Sequence, residues 1–453
     1  MALFLRREIQ RRIDEAASFL SSDQLHGLVQ RLNKSTKVSI EAQWEVMWLT
    51  AFARIGQLRH EASHGGGTSL LDVHFRSNEL EFVADITTAS DIGYEEDNPM
   101  SDFRRALNRL YRKYNSTGFL LKVGSNMVGA YGDRKVKLAL PPRPQIDKFL
   151  KDNFEPFVKA ATQSPSAAAR HSVAVSGGTI TLDYVPTRKG NQDAGHLSFN
   201  VAYSLKRNPV YNALKAKKGQ LKKSGFTGLK GIILCDASCN ILTTPFPRGV
   251  THSLGDIVRE FLDENRSVDF VLVVGVKENH AMCGKSTISF KHELLGQRQM
   301  SDRTMGLIEK VLGQALGKIP IPTCAPYKAM YRLERGNPPD ARFEALPSSF
   351  THSVHSDFMS STEMKISNRL LMGLLSGEVT QQQFRWLHEI EGNTGQPPIY
   401  LLEEWAQEGR MISEAKVERH EGDDDDYIVL KFGPPDPAAS RFRVPQPPQA
   451  PNL

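Results

Sequence analysis

Leu70–Asp91 reads LLDVHFRSNELEFVADITTASD, two short β-like runs around a polar centre, each carrying an aspartate. Twelve residues separate Asp72 from Asp85. Two strands joined by a tight turn bring a carboxylate at the start of the first close to one at the end of the second, where both can reach one divalent cation. A third acid commonly comes from a helix packed beside such strands. The preceding stretch SIEAQWEVMWLTAFARIGQL has that periodicity: Trp44, Trp48 and Phe52 recur every four residues, and so do Glu41 and Glu45. Glu45 is the expected third ligand, with Glu41 one turn away in reserve.

The whole chain supports a globular reading. Its 453 residues are 40% hydrophobic and 24% charged, enough for two or three cores, and the formal net charge is +6. The excess is uneven. LKRNPVYNALKAKKGQLKK, from Leu205 to Lys223, holds six lysines and one arginine without an acid, which fits either a polyanion surface or a solvated helix face. The four cysteines are too scattered for a disulfide framework, and Cys235 and Cys239 read as buried residues closing a strand. With no signal peptide or long apolar run, a cytoplasmic protein without a membrane partner is expected.

Along the chain, two amphipathic helices fill residues 1–38. A core with an insertion is expected over 39–285, a connecting region over 286–361, a helical and β-hairpin module over 362–432, and a disordered Pro/Ala/Gln-rich tail over 433–453. Within the core the expected order is helix, strand, strand, helix, strand. The fourth and fifth elements are SDFRRALNRLYRKYN, with Arg105, Arg109 and Arg112 on one side, and GFLLKVG, with Lys122. GLKGIILCD and VDFVLVVGV are continuous apolar strands that helices must cover on both faces, so the fold class is α/β. In the C-terminal module, Glu363–Leu375 and Thr380–His388 have helical spacing, and Asp423–Asp426 form a solvated hairpin tip.

The Glu45 helix, the strand with Asp72 and the strand FVADIT with Asp85, followed by a basic helix and another strand, resemble the PD-(D/E)xK nuclease superfamily. The likeness covers roughly residues 39–124 and extends toward 275. It implies a restriction-endonuclease-like mixed sheet flanked by helices, with Asp72, Asp85 and Glu45 as ligands of Mg²⁺ or Mn²⁺. The substrate would be DNA or RNA, held by Arg105, Arg109, Lys215, Lys218 and Lys222. Members of RecB type place a lysine two residues after the second acid, where it orients water and stabilises charge on the phosphate. Here Thr87 stands in that place. In this superfamily the cation can migrate, and Lys122, Lys215 and Lys218 are the expected substitutes. Anti-phage defence or restriction is the setting such accessory nucleases suggest.

Two other readings stay open. His60, Glu61 and His64 spell HEASH, which fits the H-E-x-x-H pattern of zinc peptidases, with Zn²⁺ on the histidines and the glutamate as base. Gly65–Gly67 follow at once and favour helix termination. Alternatively, loss of the lysine leaves a non-catalytic subunit that binds nucleic acid or, through the C-terminal module, a protein. No phosphate loop, dinucleotide fingerprint or nucleophile elbow is present. Oligomeric state is not legible.

Overall fold

The structure is a computed structural model. It describes residues 3–329 apart from short intervals (35–36, 63, 65–68, 93–96, 130–134, 164–166, 189, 195–200, 244–250, 280–286 and 328), and then 362–377, 405–419 and 426–439.

Three helices open the chain: α1 (Arg6–Ala16), α2 (Ser22–Leu32) and α3 (Lys37–Ala53). Helix α2 starts where Ser21 and Gln24 form a reciprocal capping box. Helix α3 is apolar nearly all round and, Glu41 apart, buried from Ser39 to Phe52, as a helix enclosed on nearly all sides must be. There follow β1 (Gln57–Arg59), β2 (Val73–Arg76) and β3 (Glu81–Ala89). The turn between β2 and β3 closes through Ser77, whose N–H donates to the Leu80 carbonyl.

Next comes a separate body: α4 (Met100–Lys113), β4 (Phe119–Val123), β5 (Ser125–Val128), β6 (Lys135–Leu138), α5 (Ile146–Asn153), α6 (Glu155–Gln163), β7 (Ala169–Val175), β8 (Gly178–Tyr184) and β9 (Gln192–Asp193). Its main sheet runs β7-β8-β4-β9, and its buried apolar cluster draws only on residues from Met100 to Tyr184. Here the structure departs from expectation. The arginine-bearing helix and the Lys122 strand are α4 and β4 of this inserted body, and not the fourth and fifth elements of the carboxylate-bearing core.

Those elements come a hundred residues later. Helix α7 (Pro209–Lys223) begins at Asn208, whose side chain caps Tyr211 N–H, with Pro209 at the first turn. Strand β10 (Leu229–Asp236), helix α8 (Leu254–Glu264), strands β11 (Phe270–Asn279) and β12 (Thr287–Gly296), and helix α9 (Asp302–Leu316) complete the first body. Its six-stranded sheet runs β1-β2-β3-β10-β11-β12. Strands β3, β10 and β11 are parallel, while β1, β2 and β12 pair antiparallel.

This is a mixed α/β fold, a mixed sheet flanked by helices. One face carries Phe82, Ala84, Ile86, Ile233 and Leu272 against α1, α2, α3 and α9. The other carries Val83, Ile232, Leu234 and Val273 against α7 and α8. The expected boundaries at 38 and 285 therefore cut through one core, since Leu3, Ile9 and Leu28 at one end and Ile308 and Leu312 at the other pack into the same cluster as Trp44 and Trp48.

At the C-terminal end, β13 (Thr362–Ser367), α10 (Asn368–Ser376), β14 (Ile412–Glu418) and β15 (Tyr427–Phe432) include a three-stranded antiparallel sheet in the order β13-β15-β14. The hairpin is there, but Glu363–Ser367 is a strand where helical spacing suggested a helix. The expected helix Thr380–His388, residues 330–361 of the expected connection, Asp423–Asp425 and the tail from 440 lie outside the described residues. Among the described residues no helix is long and apolar enough to cross a membrane.

Candidate functional site

Antiparallel register sets the centre of the site. Val73 pairs with Ala84, so one step further along the ladder Asp72 stands opposite Asp85, and directly opposed residues share a sheet face. That face is the one α7 covers, because Val83, two residues before Asp85, belongs to the cluster with Val210 and Leu214. Asp72 N–H donates to Asp85 Oδ1 at 3.3 Å, and Ile86 N–H donates to Asp72 Oδ2 at 2.8 Å. Asp85 is fully buried, whereas the Asp72 side chain keeps about a fifth of its exposure. Thr87 is on the same face, two residues further along β3.

A cation reaches the pair from α7. Lys217 Nζ lies 3.4 Å from Asp72 Oδ2 and is itself largely buried. Burial alone would lower its pKa, but the carboxylates of Asp72 and Asp85 outweigh that and raise it, so the ammonium stays charged. Asp85 responds in the opposite sense. Burial, reinforced by the Asp72 charge and only partly offset by Lys217, pushes its carboxyl up to about 7. Lys217 was not among the candidates, although a signal existed: it falls at i+3 from Leu214 and i−4 from Leu221, on the buried stripe of α7.

The other expected residues divide. Glu45 sits on α3, buried, in a bidentate pair with Arg31 at 2.5 and 2.7 Å. Burial raises its pKa against the pull of Arg31, and the Asp72 charge adds to the rise. It is thus near enough to Asp72 to be felt electrostatically, but its oxygens serve Arg31 rather than the aspartates. His60 bridges the two. Its Nδ1–H donates to the Asp72 carbonyl at 2.7 Å, and its Nε2 lies 3.7 Å from Glu45 Oε1. Glu41 accepts a hydrogen bond from Thr88.

Lys122 belongs to the sheet of the inserted body, where it pairs with Asp183 at 2.7 Å. Arg105 and Arg109 are there too, in ion pairs with Asp102 and Asp147. Lys215 and Lys222 are exposed on α7, and Lys218 donates to Asn265 Oδ1 at 2.9 Å. The HEASH segment is not helical: Glu61 has φ of 50° and Ala62 makes a β-bridge to Leu71. The one-turn spacing that aims two helical imidazoles at one zinc ion is absent, and the rings have different neighbours. His60 meets Glu45 and Asp72, whereas His64 packs on His74 and Phe226.

The carboxylate pair suits a hard divalent cation. Asp85 Oδ2 is buried and has no hydrogen-bond partner among the described residues, so an unused lone-pair oxygen lies beside the second carboxylate. No group of three or more His, Cys, Asp and Glu side chains able to hold one ion occurs among the described residues. Mg²⁺ is nonetheless commonly held by one or two carboxylates, with water and substrate phosphate completing its shell. No protein-family model, curated protein or solved structure matches the chain.

Proposed function

We propose that the protein is a nuclease-like phosphodiester hydrolase acting on DNA or RNA, of restriction-endonuclease-like fold, with Asp72, Asp85 and Lys217 at its centre and Mg²⁺ or Mn²⁺ as cofactor. The observation that carries this reading is the position of Lys217: a buried ammonium from α7 stands beside an opposed carboxylate pair, where the D-x-K pattern would have put a lysine on the strand itself. A divalent ion held by Asp72 and Asp85 would polarise the phosphate and lower the pKa of the attacking water. Lys217 donates to the phosphate oxygen on which negative charge grows, in a site where low solvent exposure strengthens the interaction. His60 holds the Asp72 backbone, and Arg31 with Glu45 holds His60. The exposed Lys215 and Lys222 lie on the same helix as Lys217 and suit backbone contacts to a polyanion.

One observation favours a second reading, a binding subunit without cleavage. Asp72 Oδ2 already accepts from Ile86 N–H and Lys217, a self-contained arrangement. The test uses the full-length chain with plasmid DNA, single-stranded DNA and structured RNA, each with Mg²⁺, Mn²⁺ or a chelator. Cleavage that needs the metal and falls at least about a hundredfold in Lys217→Met and Asp85→Asn supports hydrolysis. Binding without cleavage, lost when Lys215 and Lys222 are replaced, supports the second reading. Cleavage indifferent to Lys217 and Asp85 overturns the first.

A further inference from the structure

His74 on β2 faces away from the α3 side of the sheet, like Asp72 two residues before it, and its Nε2 lies 2.9 Å from Glu81 Oε1. A carboxylate only accepts, so Nε2 carries a proton, and in that tautomer of the imidazole the lone pair sits on Nδ1. That Nδ1 is buried without a hydrogen-bond partner among the described residues, and so is Nε2 of His64. The two rings lie 4.6 Å apart at 80°. Phe226 packs on both, at 5.1 and 5.6 Å.

We infer that His64 and His74 form a cation site for a borderline transition ion of the Zn²⁺ class, separate from the carboxylate pair. Two imidazoles on one ion at about 2.1 Å, with an angle between 90° and tetrahedral, bring their centroids to roughly 4.5–5.2 Å, a range that admits the 4.6 Å edge-to-face contact of these rings. A carboxylate behind a ligating histidine fixes its tautomer and raises its basicity, the part Glu81 plays for His74. Nitrogen donors select this class of ion, whereas the oxygens of Asp72 and Asp85 suit Mg²⁺. No third His, Cys, Asp or Glu joins them among the described residues, so the ion would have these two protein donors. The site takes one histidine from the HEASH motif but not its partner, since Nδ1 of His60 is committed to the Asp72 carbonyl.

The experiment is calorimetric titration of the untagged full-length chain with Zn²⁺ in excess Mg²⁺, which occupies the carboxylates. The expected result is one ion per chain with micromolar affinity. His64→Asn, His74→Gln and Glu81→Gln should each weaken it by about tenfold or more, while His60→Ala and Asp72→Asn leave it unchanged. Should a variant fail to fold by circular dichroism, the imidazole proton resonances of the wild-type chain serve instead, with those of His64 and His74 shifting on Zn²⁺ addition. Three outcomes overturn the inference: no saturable binding, binding that survives both histidine substitutions and so marks an adventitious ion only, or binding lost in His60→Ala and retained in His74→Gln. Since Asp72→Asn removes the proposed cleavage but not this binding, the two readings fail separately.

Discussion

Lys217 and Asp85 carry opposite consequences of the same burial. The lysine keeps its charge because two carboxylates face it, and the aspartate loses its charge readily because burial and the Asp72 charge together outweigh the one cation nearby. The folded-state pKa of Asp85 is about 7, above its ordinary value of 3.8, so the folded protein holds an extra proton between those two values. Stability from the neutral carboxyl is complete below about pH 4 and is lost as pH rises to 7, a change on the order of 4 kcal/mol at most. Asp85→Asn should therefore be more stable than the wild type at pH 8 and equal to it at pH 4, in urea titrations with a chelator present. Parallel pH profiles for the two proteins would show that Asp85 does not titrate in this range. Added Mg²⁺ should stabilise the wild type at pH 8 and leave Asp85→Asn unaffected.

Among the elements, α3 does the most to place the site. It lies between α1 and α2 on one side and the sheet on the other, and it presents Glu45 toward the edge where β2 begins. Trp48 stacks on Phe52 at 5.5 Å and donates its Nε1–H to Cys235 Sγ on β10 at 3.2 Å, while Trp44 donates to the Asp236 carbonyl. Trp48→Ala leaves a large void and should cost about 3–5 kcal/mol, read as a lower urea midpoint with an unchanged slope. A loss below about 1 kcal/mol would mean that α3 is not clamped to the sheet as described. Helix α3 was legible because Trp44, Trp48 and Phe52 recur every four residues, although its nearly complete burial leaves little contrast between its faces. Residues Glu363–Ser367 were not legible, because pairing with β15 overrides a local pattern that suits a helix equally well.

At the scale of the molecule, the inserted body has a core of its own, and its cluster shares no buried residue with the two that line the larger sheet. Residues 97–204 expressed alone should melt cooperatively with near-native circular dichroism, and a non-cooperative melt would show dependence on the larger body. Lys215 and Lys222 share the solvent face of α7, roughly 150° round the helix from Lys217. If they hold a nucleic-acid backbone, replacing Lys215 and Lys222 with alanine should weaken binding to all sequences alike. The slope of log K against log salt should then fall by about one per residue. Unchanged slopes would place the polyanion elsewhere.

The opposition of Asp72 and Asp85 could be read from the chain because it is local: a tight turn and a period of two decide which residues face each other across fewer than twenty positions. The α/β class and the burial of Cys235 and Cys239 followed from apolar runs in the same way. What the chain could not declare was which helix and strand complete that pair. β3 joins β10 across the whole inserted body, and parallel pairing at such separation leaves no periodic trace. Lys217, 145 residues from Asp72, enters the site only because α7 covers that face of the sheet. Glu45 could be placed on its helix from spacing alone, but its commitment to Arg31 and His60 is a matter of packing, decided when three separate segments close around one buried charge.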